Sequence, residues 1–380
     1  MSFDAQIESE IRSMFASISA SEGSSCGEQL RTILASIRSH SVKMDTIVDF
    51  LCLCFRDRES AVIGETLAHL FAHLEGIEID FSDSVPSPHL TGIRKSKNLT
   101  LLFPRQINSS PELRVKVLWL IWFLPQLEHA VKMDADVSGF TWLSQWDVGV
   151  CNGLAFSSAV PDHLLIPDNV FIPSKGYVDY KKRLAQAFVP WDDRLPVCFW
   201  RGSTTGQRPV PSAWTALPRI QLANAFGNND TLFDVGLSKI SQIADEAVKD
   251  EIRNAGLLKG YVPSHLQQKW KYLVDIDGNS NAWSGLFEKL LTGSTVLKVT
   301  SPYGYRQWYY GKMIAWEHYV PVASDFSDLE SKVRLMHKRD GLAAQIGMAG
   351  RMLAESLTYE SQLEVGALTI NRALRIFDDR

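Results

Sequence analysis

Apolar and polar positions alternate most clearly around residues 270–300, where the chain predicts a strand, a turn, a helix and a second strand. Tyr272–Ile276 is a short run of aromatic and β-branched side chains, which is typical of a buried strand. A polar turn follows, and Ser284–Leu291 is predicted to be a helix that a glycine ends. Thr295–Val299 is the second apolar strand. Together these pieces predict a βαβ unit, and because such units bind ligands at the carboxyl ends of their strands, we expect a ligand at residues 275–284.

The hydrophobic pattern changes along the chain and predicts several regions. Up to about residue 80, apolar residues recur at helical spacing, without a cluster of reactive side chains. From Leu99 onward, short apolar runs alternate with helical patterns, as in proteins built on a parallel sheet. We therefore expect an α/β protein with a helical accessory region over residues 1–80, a first domain over 95–190 and a second over 191–345. Helices are predicted over 346–380, and they can pack back on the first domain.

The composition is that of a soluble globular protein. The chain has 380 residues, of which 45% are hydrophobic and 22% charged, and its formal net charge is −4. That charge argues against a dedicated nucleic-acid-binding protein, whose binding face is usually strongly basic. The amino terminus lacks the basic and apolar regions of a signal peptide, and the most apolar run, Val117–Leu124, is too short to span a bilayer. The odd number of cysteines, without CxxC spacing, indicates a reducing compartment, so we expect a cytoplasmic protein.

A second polar loop, earlier in the chain, has the residue types of a phosphate site. The predicted strand Leu195–Trp200 runs into the sequence Arg-Gly-Ser-Thr-Thr-Gly, and a predicted helix begins at Pro218. Backbone N–H groups and the helix dipole favour an anion in such a place, and arginine adds charge-assisted hydrogen bonds. The loop matches neither the Walker pattern nor GxGxxG, and Gly/Ser/Thr loops are more often plain turns. The candidate anion-binding residues are Arg201, Gly202, Ser203, Thr204 and Arg219.

The motif Asp275-Ile-Asp277-Gly278 admits three interpretations. It could hold a metal ion, as the DxD motif of metal-dependent nucleotide-sugar transferases does. It could carry the aspartyl nucleophile of haloacid-dehalogenase-like phosphatases, although those need Thr or Val where Asn279 stands. The two carboxylates could also cap the turn or bond ribose and base groups. We favour the third interpretation, because a metal-holding DxD normally lies in a loop at the sheet edge with the nucleotide fold before it.

Asp147 is a candidate general base, because it ends a predicted strand in the first half of the chain. A carboxylate there could accept the proton of an attacking hydroxyl. The ordinary interpretation is an aspartate that caps a turn before Gly149, and the residues alone favour that one.

Several segments occur in a fixed order along the chain, namely Phe199–Ser203, Arg219, Asp275–Asn279, Trp283-Ser284, Leu290–Ser294, His318–Val322, Asp325 and Asp328-Leu329. This ordered set resembles glycosyltransferase family 90 over roughly residues 95–360. That family holds the Rumi-type protein O-glucosyltransferases, fungal capsule xylosyltransferases and bacterial LpsA-like lipopolysaccharide-core enzymes. The resemblance implies a GT-B architecture, in which two Rossmann-like domains face a cleft and the carboxyl-terminal one binds the donor. It also implies inverting transfer from a UDP-sugar, without an obligatory metal and without a further cofactor.

The resemblance also assigns roles to residues of this chain. It implies that Asp147 is the general base and that Ser203 and Arg219 bind the diphosphate. A second phosphate-binding arginine of Rumi-like members falls on Leu286, and Arg208, Lys289 or Arg306 could replace it. The full set of expected donor-binding residues is Arg201, Gly202, Ser203, Thr204, Arg219, Asp275, Asp277, Gly278, Asn279, Trp283, Ser284 and Lys289.

These observations lead to one main hypothesis and two alternatives. The main one is an inverting glycosyltransferase that moves a glucose- or xylose-type sugar from a UDP-sugar to a lipopolysaccharide or related surface glycan. It would act at the cytoplasmic side of the membrane, with peripheral membrane contact, because the chain shows neither a secretory signal nor a disulfide framework. The first alternative is a magnesium-dependent phosphatase that uses Asp275 and Asp277. The second is a non-catalytic nucleotide-sugar-binding protein, because Leu286 replaces a phosphate ligand.

Overall fold

The computed structural model describes residues 77–87, 90–104, 123, 125–134, 136–144, 153–206, 214–227 and 231–377. The predicted accessory region of residues 1–80 therefore lies outside the described residues, apart from its last four. Asp147 and Arg208 lie outside them as well. The chain divides into two compact units. The first comprises the described residues within Met1–Phe156 and Tyr359–Arg380 together with Pro161–Pro173, and the second comprises Ser157–Val160 and the described residues within Ser174–Thr358.

The first unit is built on a mixed six-stranded sheet. Its strand order is β1-β3-β2-β4-β5-β6, in which β2 runs antiparallel to both of its neighbours and the other pairs are parallel. The pattern of alternating strands and helices predicted a parallel sheet here, but only a short turn separates β2 from β3, and so short a connection allows only antiparallel pairing. The strands are β1 (Ile77–Ser82), β2 (Leu90–Lys95), β3 (Leu99–Pro104), β4 (Gly139–Ser144), β5 (Leu154–Ala155) and β6 (Leu164–Leu165).

The last helix of the chain completes the first unit. Residues 359–377 pack against β4 and β2. The side-chain amide of Asn371 donates to the backbone oxygen of Ala130 at 3.0 Å, and the amide of Gln126 donates to the backbone oxygen of Pro167 at 3.0 Å. Gly366 lies so close to Gln126 that a Cβ there would meet its side-chain oxygen at 2.0 Å. A larger residue at position 366 would therefore force the Gln126 side chain to move.

The second unit is built on a fully parallel five-stranded sheet in the order β11-β10-β9-β7-β8. The βαβ unit predicted around Asp275 is present as β9, α4 and β10. The strands are β7 (Leu195–Ser203), β8 (Phe233–Lys239), β9 (Trp270–Asp275), β10 (Thr295–Val299) and β11 (Val320–Val322). The helices are α1 (Val178–Gln186), α2 (Pro218–Phe226), α3 (Glu246–Asn254), α4 (Ser284–Leu291), α5 (Leu329–Lys338) and α6 (Asp340–Ser356), and α7 (Tyr359–Phe377) is the helix of the first unit described above.

The strand order of the parallel sheet fixes where a ligand can bind. β8 lies on one side of β7 and β9 on the other, so the chain reverses its direction across the sheet between β7 and β9. At such a point the loops that follow the two strands lead away in opposite directions and leave a crevice at the carboxyl edge. The residues at that edge are 203–205 after β7 and 276–278 after β9.

The mixed α/β fold with two sheets rich in parallel pairs is confirmed, while the GT-B arrangement of the units stays a prediction. Among the helices of the described part, none is both long and apolar enough to cross a bilayer.

Candidate functional site

Arg219 joins the two strand ends at the reversal of strand order. It lies in the first turn of α2, half-buried, and its guanidinium donates three hydrogen bonds. Nη1 donates to the Thr205 hydroxyl at 2.7 Å, Nη2 to the backbone oxygen of Ile276 at 3.1 Å, and Nε to that of Asp277 at 2.9 Å. Burial lowers the pKa of Arg219 to about 10, against the opposing effect of Asp275 and Asp277, so the group is still cationic at neutral pH.

The loop after β7 brings hydroxyl groups to the same place. The Ser203 hydroxyl lies 3.0 Å from that of Thr205, which in turn accepts from Arg219. The Thr204 hydroxyl instead donates to the backbone oxygen of Ser241 at 2.7 Å and accepts from its backbone N–H at 2.8 Å. Ser203 is therefore linked to Arg219 through the Thr205 hydroxyl, and its role as a phosphate ligand stays a prediction. Thr204 instead fixes the loop to the chain after β8.

Arg201 and Gly202 shape the end of β7. The Arg201 guanidinium forms an ion pair with Asp234 of β8 at 2.7 Å, and it donates to the backbone oxygens of Asp234 and Gly260 at 2.8 and 3.2 Å. A Cβ on Gly202 would lie 2.4 Å from the ring of Trp200, so glycine is needed for the strand to pass that ring. The hydrogen-bond partners of the Arg201 guanidinium thus lie in β7, in β8 and at Gly260.

Asp275 is the centre of a buried ion cluster. Its carboxylate is fully buried and accepts from Lys289 of α4 at 2.9 Å and from Lys298 of β10 at 3.5 Å. Burial alone would raise the pKa of Asp275, but the two lysines outweigh it and hold that pKa below its usual range. The charge of Lys289, a predicted donor-binding residue, is therefore engaged by a carboxylate.

Asp277 has the opposite environment. Within the described part of the chain, neither oxygen of its carboxylate takes part in a hydrogen bond of normal geometry, and both are shielded from solvent. Burial raises the pKa of Asp277 to about 6, against the lowering effect of Lys298 and of the nearby Ser301. Burying a carboxylate whose oxygens lack a hydrogen bond of normal geometry is costly, and carboxyl groups with perturbed pKa values cluster at functional sites.

The turn between β9 and α4 holds the remaining predicted residues. Gly278 packs against Arg219, because a Cβ there would lie 3.1 Å from Nη2, and Asn279 follows it in the turn. Trp283 precedes the helix with φ 51° and ψ −131°, a left-handed backbone that side-chain-bearing residues rarely adopt. Ser284 is the first residue of α4.

Leu286 stands where Rumi-like members have a second phosphate-binding arginine, and the structure shows the surroundings of Leu286 and of the candidate replacement Arg306. Leu286 is fully buried and packs in the core of the second unit. The Arg306 guanidinium donates to the backbone oxygen of Val160 at 2.8 Å. Lys298 was missed by the sequence reasoning, although a lysine inside the apolar strand TVLKV is itself a signal, since lysine is seldom buried without a partner. Three cations, Arg219, Lys289 and Lys298, thus lie around two carboxylates.

Within the described residues, no group of three or more His, Cys, Asp and Glu side chains is arranged to hold a metal ion. Asp275 is also a poor phosphatase nucleophile, because its carboxylate is enclosed and paired with two lysines.

Residues 177–361 match the family model of glycosyl transferase family 90. Over 174 residues the chain is 28% identical to protein O-glucosyltransferase 3 of Homo sapiens. The aligned segment covers 46% of this chain and 30% of that protein. It is 28% identical over 195 residues to uncharacterized protein 035R of Invertebrate iridescent virus 3, covering 49% of this chain and 17% of that protein. The chain spans less than a third of the length of these relatives.

Among solved structures, the pneumococcal O-GlcNAc transferase GtfA in complex with UDP and GlcNAc gives a TM-score of 0.29 at 14% identity, covering 48% of this chain and 37% of that chain. That score is too low to establish a common fold. The family match and the relatives show that the second unit carries a glycosyltransferase domain. The match over residues 177–361 confirms the resemblance to glycosyltransferase family 90 seen in the sequence.

Proposed function

We propose that the protein transfers a sugar from a UDP-sugar to a hydroxyl group, with the donor diphosphate bound at the carboxyl edge between β7 and β9. The observation that carries the proposal is the position of Arg219, which joins both strand ends at the reversal of strand order. The hydroxyls of Ser203 and Thr205 lie next to it and supply further donors. Uridine as the base follows from the family resemblance.

The charges of the edge suit a diphosphate. Lys289 and Lys298 both pair with Asp275, so these three side chains together carry a net charge of +1. Arg219 adds a further positive charge, and Asp277 offsets it only when ionised. The cluster is therefore net positive at every pH at which these cations stay charged. Positive groups fixed in a partly dry site stabilise the charge that develops on a leaving diphosphate.

The proposed reaction is a single displacement with inversion. Asp147 accepts the proton of the acceptor hydroxyl, and the hydroxyl oxygen attacks the anomeric carbon. The bond from that carbon to the diphosphate oxygen breaks, and UDP leaves with the electron pair. Arg219 carries the leaving-group charge, so the proposal assigns that task to cationic side chains. The role of Asp147 is supported by the family resemblance alone.

The acceptor defines two versions of the proposal. Resemblance to bacterial LpsA-like enzymes supports a lipopolysaccharide or other surface glycan, reached at the inner face of the membrane. The relatives named protein O-glucosyltransferases support a protein hydroxyl instead. Transfer of radiolabelled sugar to glycan extracts and to protein extracts, measured side by side, separates the two.

The donor site is tested by replacing Arg219 with alanine and with lysine. We expect Arg219→Ala to weaken UDP binding about 10- to 100-fold, because a charge-assisted contact is lost, and Arg219→Lys to recover part of it. Isothermal titration with UDP measures the change. Arg253→Ala, which removes an exposed arginine of α3, is the matched control and should bind like the wild type. Equal affinity of the Arg219→Ala variant would overturn the assignment.

The general base is tested by Asp147→Asn. Transfer should fall at least 1000-fold while UDP binding stays within about twofold, because the amide cannot accept the proton. A fully active variant removes Asp147 from the mechanism. UDP-sugar binding without turnover on any extract would favour the non-catalytic alternative, and magnesium-dependent release of inorganic phosphate would favour the phosphatase.

A further inference from the structure

Four residues that precede the family-matched segment belong to the second unit. Ser157–Val160, which we call the strap, are part of that unit although the residues on either side belong to the first. Ser158 and Arg306 exchange two backbone hydrogen bonds, of 3.1 and 2.9 Å. The Arg306 guanidinium donates to the backbone oxygen of Val160 at 2.8 Å. The strap is therefore fixed to the segment that follows β10.

The strap also reaches the turn between β9 and α4 through one buried side-chain pair. The amide nitrogen of Asn281 donates to the Ser157 hydroxyl at 2.7 Å, and the two residues are 1% and 4% exposed. The amide oxygen of the same Asn281 accepts from the backbone N–H of Trp283 at 2.7 Å. Asn281 thus links a hydroxyl of the strap with the backbone just before α4.

The hydrogen bond to the Asn281 amide oxygen comes from Trp283, whose backbone conformation is unusual. Trp283 has φ 51° and ψ −131°, a conformation that glycine adopts without strain and that costs other residues free energy. Such a conformation persists only when its surroundings hold it in place. The bond from Trp283 to Asn281 is one such restraint, and it depends on the orientation that Ser157 gives the amide.

We propose that Ser157 and Asn281 are positioning residues of the donor site, which hold Trp283 and the first turn of α4 in the geometry that binds the donor. The inference rests on the proposed function, since it places the donor at this edge. It adds that residues 177–361 do not contain the complete site, because one of its supports, Ser157, comes from the strap. Both residues act through α4 and are assigned no contact with the donor.

The chemistry of the pair makes the effect of removing Ser157 specific. Ser157→Ala leaves the Asn281 amide nitrogen buried without its partner, which is unfavourable for a polar group shielded from water. The amide can then turn or the turn can open, and either change weakens the bond to Trp283. Ser157→Thr keeps the hydroxyl and should preserve the link.

The test combines two measurements on the full chain. The first is UDP affinity by isothermal titration for Ser157→Ala, Ser157→Thr, Asn281→Ala and the double alanine variant. The second is hydrogen exchange of the peptide covering residues 281–287 without nucleotide. Thr295→Val is the matched control, because it removes a buried hydroxyl that donates to the backbone oxygen of Ala343 at 2.7 Å, at the opposite end of the sheet.

We expect Ser157→Ala and Asn281→Ala each to weaken UDP binding about tenfold, and the double variant to lose no more than either one, because both act through one link. Exchange of the 281–287 peptide should speed up about tenfold in Ser157→Ala and return to normal in Ser157→Thr. The control should unfold more easily yet bind UDP normally.

Wild-type affinity and exchange in Ser157→Ala would overturn the inference, as would equal losses of affinity in Ser157→Ala and Thr295→Val. If the wild type binds no nucleotide, the proposed function fails, whereas the exchange measurement still decides whether the strap orders α4.

Discussion

Replacing Asp277 with asparagine should stabilise the protein in a way that depends on pH. Burial raises the pKa of Asp277 to about 6 from its ordinary 3.8. A carboxyl whose pKa is raised by folding favours the folded state while it is protonated, and this contribution is lost as the pH rises from 4 through 6. Two pKa units correspond to about 3 kcal/mol, which is the cost of burying the ionised form at pH 8. Asparagine is neutral at every pH and avoids that cost.

The free energy of unfolding of the wild type and of Asp277→Asn should therefore differ by about 3 kcal/mol at pH 8 and by only about 1 kcal/mol at pH 4.5. Urea-induced unfolding followed by tryptophan fluorescence, repeated across that range, measures the difference. Asp325→Asn is the control, because hydrogen bonds from Ser327 lower the pKa of the exposed Asp325, so its replacement should not stabilise the protein at pH 8. A pH-independent difference, or a less stable Asp277→Asn variant at pH 8, would show that the carboxylate has a cationic partner and would refute the reasoning.

Three further predictions concern the same edge. Lys289→Met should cost about 3 kcal/mol of stability in chemical denaturation, because it leaves buried Asp275 with one weaker partner, whereas Lys182→Met removes only an exposed ion pair and should have little effect. Gly202→Ala should cost about 1–3 kcal/mol, because its methyl group meets a tryptophan ring, and Gly311→Ala, which points into open space, should be nearly neutral in the same assay. UDP binding near pH 7 should take up a proton, because the diphosphate raises the pKa of a nearby carboxyl; titrations in buffers of different ionisation enthalpy would show this, and an Asp277→Asn variant with the same proton uptake would contradict it.

The βαβ unit was predictable because all of its signals are local. An apolar run, a polar turn, an amphipathic helix and a stop glycine follow one another over some thirty residues, and the structure has β9, α4 and β10 in those places. The hydroxyl loop and Arg219 were grouped as a candidate anion site because a strand, a Gly/Ser/Thr loop and a helix start follow one another, and in the structure Arg219 donates to Thr205 of that loop. Each of these inferences needs only neighbours in sequence.

The features that could not be predicted from the sequence depend on contacts between residues that are far apart in the chain. Arg201 belongs to the same motif as Ser203, yet Asp234, thirty-three residues away, decides where its guanidinium points. The Ser157–Asn281 bond joins positions 124 residues apart, and nothing in either segment marks it. The backbone of Trp283 is equally hidden, because a left-handed conformation in tryptophan is held by its surroundings and has no pattern of its own.

The return of α7 to the first unit has a consequence for folding during synthesis. The helix that covers β4 and β2 leaves the ribosome about 190 residues after β6, which at 5–20 residues per second is a delay of roughly 10–40 s. Meanwhile every strand and helix of the parallel sheet has already been made. The first unit is therefore translated before the second but completed after it. Until α7 has been made, the face of its sheet that α7 covers is exposed, and a chaperone could bind that apolar face.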